Sequence, residues 1–182
     1  MRKIWMRGAV GALILTIAAP ALAEVQQYRA NLDGVGGTAV THSLATGTAD
    51  IVVNNQTRRV NVRLQIRGLT LDDLLDRMVA APIGPIHLHI YPARGADGGY
   101  VGGSLLALPL PYGPGYRAAD GGFTVELNDY DFDAAMATMA AANEPVMTFD
   151  QFTAALNQGR IVVNIHTDRF GDGEIAGPVS RL

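Results

Sequence analysis

The chain has 182 residues, 48% of them hydrophobic and 17% charged, which excludes a disordered polypeptide and suffices for one domain with a sizeable core, not for two ordinary ones. Its formal net charge of −3 hides a stronger acidity: three of the 14 basic groups lie in the first 23 residues, which hold no acid, so the remainder sets 11 basic against 17 acidic groups, a net −6. Such a balance builds no basic face for a phosphate backbone, and nucleic acid is excluded as the partner.

Arg2, Lys3 and Arg7 form a positive start, and Gly8 to Ala19 an apolar run. Pro20 breaks that run just before the small-x-small site Ala21-Leu22-Ala23. The run is shorter than the ~20 apolar residues a membrane span needs. The expectation is a cleaved export signal over 1–23, a mature start at Glu24, a periplasmic or secreted location and no span left after cleavage. Residues 24–182 then form a single domain. The sequence contains no cysteine, so an exported fold has no disulfide and must rest on its core or on a bound metal.

The rest of the chain reads as short strands cut by glycine-rich turns. Candidates in order are Tyr28 to Leu32, Thr38 to His42, Thr48 to Asn54 and Arg58 to Arg67, then Pro85 to Tyr91, Gly103 to Leu108, Phe123 to Leu127, Ile161 to His166 and Glu174 to Val179. The clearest is Arg58 to Arg67, where Val60, Val62, Leu64 and Ile66 alternate with polar residues and arginines, the period of a strand with one buried face. It forms a hairpin with Thr48 to Asn54 across Asn54-Asn55-Gln56-Thr57. The spacing predicts a mainly β, antiparallel sandwich or barrel.

Helices interrupt the pattern. Leu71, Leu74, Leu75 and Met78 recur at i, i+3, i+4 and i+7, predicting a helix from Thr70 to Ala81. A second covers Phe132 to Ala142. A third starts at the Thr148/Gln151 capping box, buries Phe149, Phe152 and Leu156, and ends at Gly159. The Gly- and Pro-rich stretch Tyr112 to Gly122 reads as a surface loop.

Three of the four histidines lie in two strand-like motifs. In Ile86-His87-Leu88-His89-Ile90-Tyr91 the period of 2 puts His87, His89 and Tyr91 on one face, so the two imidazoles stand side by side. In Ile161-Val162-Val163-Asn164-Ile165-His166, His166 shares a face with Asn164. If the two strands are neighbours, His87, His89 and His166 form a three-nitrogen site. Three imidazoles without a thiolate suit Cu(II), Zn(II) or Ni(II). The competing reading has the same rings hydrogen-bonding to turns at a sheet edge. His42 is a further candidate ligand in undistinguished surroundings, and Asn164, Tyr91 and Glu174 are candidates for orienting the rings.

Other chemistry finds little support. Asp168, Asp172 and Glu174 crowd one loop, but their spacing departs from the calcium-binding helix-loop-helix, and Gly171-Asp172-Gly173 is tight-turn chemistry. Met136, Met139 and Met147 read as core filler rather than soft copper ligands. There is no thiol nucleophile, no Gly-x-Ser-x-Gly and no phosphate loop. Asp129, Asp131 and Asp133 sit where a helix start favours negative charge.

The motifs together resemble the CHRD (chordin-type) domain family, in its bacterial exported form. The resemblance rests on Gly47-Thr48-Ala49, on Gly68-Leu69, on His87-Leu88-His89 with Pro92-Ala93, and on Val163-Asn164-Ile165-His166-Thr167 followed by Gly171-Asp172-Gly173-Glu174-Ile175-Ala176-Gly177. It spans nearly all of Tyr28 to Leu182. It implies an all-β, immunoglobulin-like sandwich that works outside the cytoplasm as a binding module, with chordin's own repeats belonging to a growth-factor-binding protein. The helices at 70–81 and 131–158 look like insertions relative to that pattern. A looser likeness is to Cu,Zn superoxide dismutase, a Greek-key barrel with copper-ligating histidines on strands, although this chain lacks that family's disulfide and zinc loop.

The resulting expectation is an exported, non-enzymatic binding protein that holds a transition metal, copper before zinc, through His87, His89 and His166. The alternatives are a structural module that meets an envelope or extracellular protein through its arginine-lined strand, and a copper redox enzyme.

Overall fold

The computed structural model describes residues 25–37, 40–94 and 100–182; the expected export signal over 1–23 lies outside them. Alternation dominates the first strands. In β1 (Val25–Leu32) and β3 (Arg59–Arg67) every second residue is buried, and β2 (Thr46–Asn54) runs antiparallel between them. The β2–β3 turn closes as the sequence implies: Asn54 Oδ1 accepts the backbone N–H groups of Gln56 and Thr57, both at 3.0 Å.

Two antiparallel sheets pack face to face, confirming the mainly β sandwich with a few short helices. A six-stranded sheet has the order β12-β1-β2-β3-β9-β8, with β8 (Tyr116–Ala119), β9 (Gly122–Asp131) and β12 (Ser180–Arg181). A four-stranded sheet has the order β11-β10-β4-β7, with β4 (Ile86–Ile90), β7 (Leu105–Leu110), β10 (Ile161–Ile165) and β11 (Ile175–Pro178). A separate two-stranded ribbon joins β5 (Ala93–Arg94) and β6 (Tyr100–Val101). The inward faces of both sheets merge into one apolar core, including Ile51, Val60, Leu64, Ile86, Leu88, Phe123, Val163 and Ile165.

Two of the three arginines on the wet face of β3 are paired within the larger sheet. Arg59 pairs with Asp131 and Arg63 with Glu126 across the β3–β9 ladder, and Arg29 pairs with Asp50 across β1–β2. A bulge in β9 puts Asp129 at φ 52, where its N–H donates to Asn61 Oδ1 at 2.6 Å.

The two helices between β9 and β10 serve the core. In α2 (Phe132–Ala141) and α3 (Phe149–Asn157), Phe132, Phe149 and Phe152 bring ring centroids within 5.1–6.5 Å, and Met136 and Met139 are buried beside them. The Thr148/Gln151 capping box forms as expected.

Three expectations need correction. The helix over 70–81 is broken into a 3-10 turn, Leu71–Asp73, and a single turn of α1 (Asp76–Val79), with Leu74 and Leu75 extended between them. Backbone pairing across the fold wins over helical continuity: Leu74 bridges to Thr167, the Leu75 N–H donates to the His166 carbonyl at 3.1 Å, and Asp168 Oδ1 accepts from the Asp76 N–H at 3.1 Å. Within the supposed loop 112–122, β8 pairs with β9, and Tyr116 buries its ring while its hydroxyl donates to the Leu110 carbonyl at 2.6 Å. Of the strand expected over 38–42, residues 38 and 39 lie outside the described residues and 40–42 are irregular, tied down by the Thr41 N–H on the Gly34 carbonyl.

Candidate metal centre

The histidines come together because β4 and β10 are neighbours. In their antiparallel register Asn164 stands opposite His87 and Val162 opposite His89, and the His166 N–H continues the ladder by donating to the Pro85 carbonyl at 2.9 Å. Ile86, Leu88, Ile161, Val163 and Ile165 thereby enter the core, and the alternate residues share the opposite face. That face is itself covered: Tyr91, Val162 and Ala176 form a second small apolar cluster, with Tyr100 stacked at 4.6 Å from Tyr91.

The three rings form a triangle with centroid separations of 4.8 Å (His87 to His166), 5.4 Å (His87 to His89) and 5.7 Å (His89 to His166). His87 and His166 are 2% and 5% exposed. His87 Nε2 lies 2.6 Å from the Gly84 carbonyl oxygen and His166 Nδ1 lies 2.9 Å from that of Gly171. A carbonyl oxygen only accepts, so each of these nitrogens carries the proton, and the assignment leaves lone pairs on His87 Nδ1 and His166 Nε2. Both of those atoms, and both ring nitrogens of His89, are buried without a hydrogen-bond partner.

Gly84 is required where it stands. Its φ is +72°, and a Cβ there would lie 2.1 Å from the Leu110 carbonyl oxygen, so only glycine lets the chain turn close enough to aim its carbonyl at His87.

Electrostatics keep the rings neutral. Burial, reinforced by His166 and His89, pushes His87 down to about 3 against the weaker support of the Gly84 carbonyl. Burial and His166 push His89 down to about 4. His166 is lowered as well, chiefly by burial, with the Gly171 carbonyl and Asp172 opposing. Near neutral pH all three imidazoles are therefore uncharged, each with one nitrogen free of a proton, the form a metal requires.

The donor set fits a metal ion. One nitrogen from each ring lies within 4.8 Å of the others. Bonds of 2.0–2.1 Å to a shared ion need nitrogens about 3.3–3.6 Å apart, so the rings would have to close in on the ion as it binds. An unsatisfied buried polar group costs about 1–3 kcal/mol, so leaving all four nitrogens unpaired is unfavourable, and an ion would relieve at least three of them.

The other sequence candidates fall elsewhere. His42 is exposed on the segment before β2, with φ 55°, and does not belong to the triad. Asn164, Tyr91 and Glu174 do not hydrogen-bond the rings; the backbone carbonyls of Gly84 and Gly171 do. Glu174 instead accepts from Ser43 Oγ and Thr167 Oγ1, each at 2.7 Å, and so ties the segment before β2 to the turn that carries Gly171. The two glycine carbonyls were not evident from sequence; the only hint was the Gly84-Pro85 step ahead of the first histidine.

The sequence profile of the CHRD domain matches residues 28–179, which include both histidine motifs and both sheets. The chain belongs to the CHRD domain family. CHRD domains are structural and binding modules rather than catalysts. Neither the curated proteins nor the solved structures gave a match to the chain. Within this CHRD domain the histidine triad lies on the covered outer face of the smaller sheet, remote from the ion-paired face of the larger one.

Proposed function

We propose that this CHRD domain is an exported, non-enzymatic binding protein that holds a transition metal ion, copper before zinc, through His87, His89 and His166. One observation carries the reading: three clustered imidazoles, two buried and one half-buried, bring a nitrogen apiece within 4.8 Å of one another, and each ring has a buried nitrogen that no protein group satisfies. His87 Nδ1 and His166 Nε2 are the ligand atoms in this arrangement, and the Gly84 and Gly171 carbonyls fix their rings through the opposite nitrogens. Copper is favoured because the set is all nitrogen and Cu(II) heads the affinity order for such donors. Export and cleavage after Ala23 rest on the composition of residues 1–23. The alternative of a protein partner on the arginine face loses support from the acids that already pair Arg29, Arg59 and Arg63.

The test is calorimetric titration of the untagged chain from Glu24 with Cu(II) and with Zn(II), alongside the His87→Ala/His166→Ala double variant. Stoichiometric binding tighter than micromolar, lost in the variant, is the expected result. Binding that is absent, or indifferent to the double substitution, overturns the proposal.

A further inference from the structure

At the end of β4, beside Ile90, a groove of about 360 Å³ opens where the smaller sheet meets the helices. Ile90 and Leu106 wall it from the sheet, Met147 from the segment joining α2 to α3. Leu105 and Val146 contribute two large apolar side chains that are each 53% exposed. The volume falls within the 300–1,000 Å³ common for small-molecule sites.

The groove also holds a fixed positive charge. Arg160 lines it, half-buried, with Nε donating to Gln158 Oε1 at 2.8 Å and Nη1 to the carbonyls of Tyr91 and Pro92 at 3.0 and 3.3 Å. These acceptors immobilise the guanidinium without neutralising it. Among the described residues no carboxylate pairs with it, whereas Arg29, Arg58, Arg59 and Arg63 all have acidic partners. Nη2 takes no part in its hydrogen bonds. A neutral occupant would strip water from this cation and return nothing, while a carboxylate supplies the missing charge and matches the guanidinium edge.

We propose that the groove binds a small amphipathic carboxylate, its hydrocarbon body against Leu105, Leu106, Val146 and Met147 and its carboxylate on Arg160. The groove shares no lining residue with the histidine triad. Each methylene added to the ligand tightens binding by up to about fourfold while the groove still has room.

The experiment titrates the full chain, expressed with its own leader and purified as the cell processes it, with decanoate, octanoate and the neutral comparator decanol, following backbone amides by NMR. Saturable shifts at Leu105, Leu106, Val146 and Met147 are expected with decanoate, with octanoate weaker and decanol at least tenfold weaker. Arg160→Met should weaken decanoate at least tenfold and Arg160→Lys by less. Because Arg160 also ties down backbone carbonyls, Ala154→Trp provides a second variant: Ala154 lines the groove from the exposed side of α3, and the added ring should abolish binding with the fold intact. Equal affinity for decanol, insensitivity to Arg160→Met or to Ala154→Trp, or no saturation below millimolar overturns the proposal. So do shifts at the same amides that follow protein concentration alone, which would identify a second copy of the chain as the occupant.

Discussion

His87 and His166 face one another across the β4–β10 pair with ring centroids 4.8 Å apart, each tethered through one nitrogen to a glycine carbonyl and each left with the other nitrogen buried and unpaired. The tethers orient the rings, and the unpaired atoms are what a metal would take. Two of the three rings are thus already held in place, which reduces the ordering that metal binding would have to impose.

Stability should respond in opposite directions when His89 becomes Leu. The substitution removes two unsatisfied buried nitrogens, so the metal-free protein should gain about 1–3 kcal/mol. The same substitution removes a ligand and should weaken metal uptake by about a hundredfold or more, the loss expected from disturbing even an outer partner of a ligand. Urea unfolding with and without chelator, beside the metal titration, checks both.

Acid should destabilise the metal-free fold through these rings. His87 and His89 titrate near 3 and 4 when folded, against 6.5 for an ordinary imidazole, so between those values the unfolded chain binds protons that the folded chain refuses. Their contribution is present in full above pH 6.5 and is lost as pH falls toward 3, on the order of 2–3 kcal/mol per ring by pH 4.5. Denaturant midpoints across that window should fall steeply in the native sequence and more gently in His87→Leu/His89→Leu.

Metal should raise the melting temperature, and chelation should return it. At a free concentration of 100 times Kd the gain is about 2.7 kcal/mol. Differential scanning calorimetry with Cu(II), then with excess chelator, measures it; the His87→Ala/His166→Ala variant should show no metal-dependent shift.

Gly84→Ala should damage fold and site together. The new methyl group would meet the Leu110 carbonyl at 2.1 Å from a backbone at φ +72°, a clash and a strained conformation at once. A loss of about 2 kcal/mol or more is expected, with weaker metal binding because the His87 tether shifts. Gly103→Ala, where a Cβ meets nothing within 4 Å, is the matched control and should change neither.

Much of this protein was legible one segment at a time. The alternation in β3 and the Thr148/Gln151 box are local patterns, and both appear where the residues place them. The pair His87 and His89 needs only the strand period to share a face. Tyr116–Ala119 escaped notice because Tyr-Arg-Ala-Ala alternates weakly and is held as a strand by pairing with β9. The run 70–81 has true helical periodicity, yet Leu74 and Leu75 gain more by bonding their backbone to residues 166 and 167.

By itself the sequence determined the strand faces, the secondary caps and the identity of the nitrogen donors, because each depends on side-chain period and residue chemistry within a few positions. Only the tertiary structure decided that β10 lies beside β4 in the register that seats His166 next to His87. It alone decided which nitrogen of each tethered ring keeps its lone pair, and that Arg160, without an acidic partner among the described residues, borders an apolar groove. Those outcomes depend on burial and on backbone groups brought from distant parts of the chain, and no local pattern of residues encodes either one.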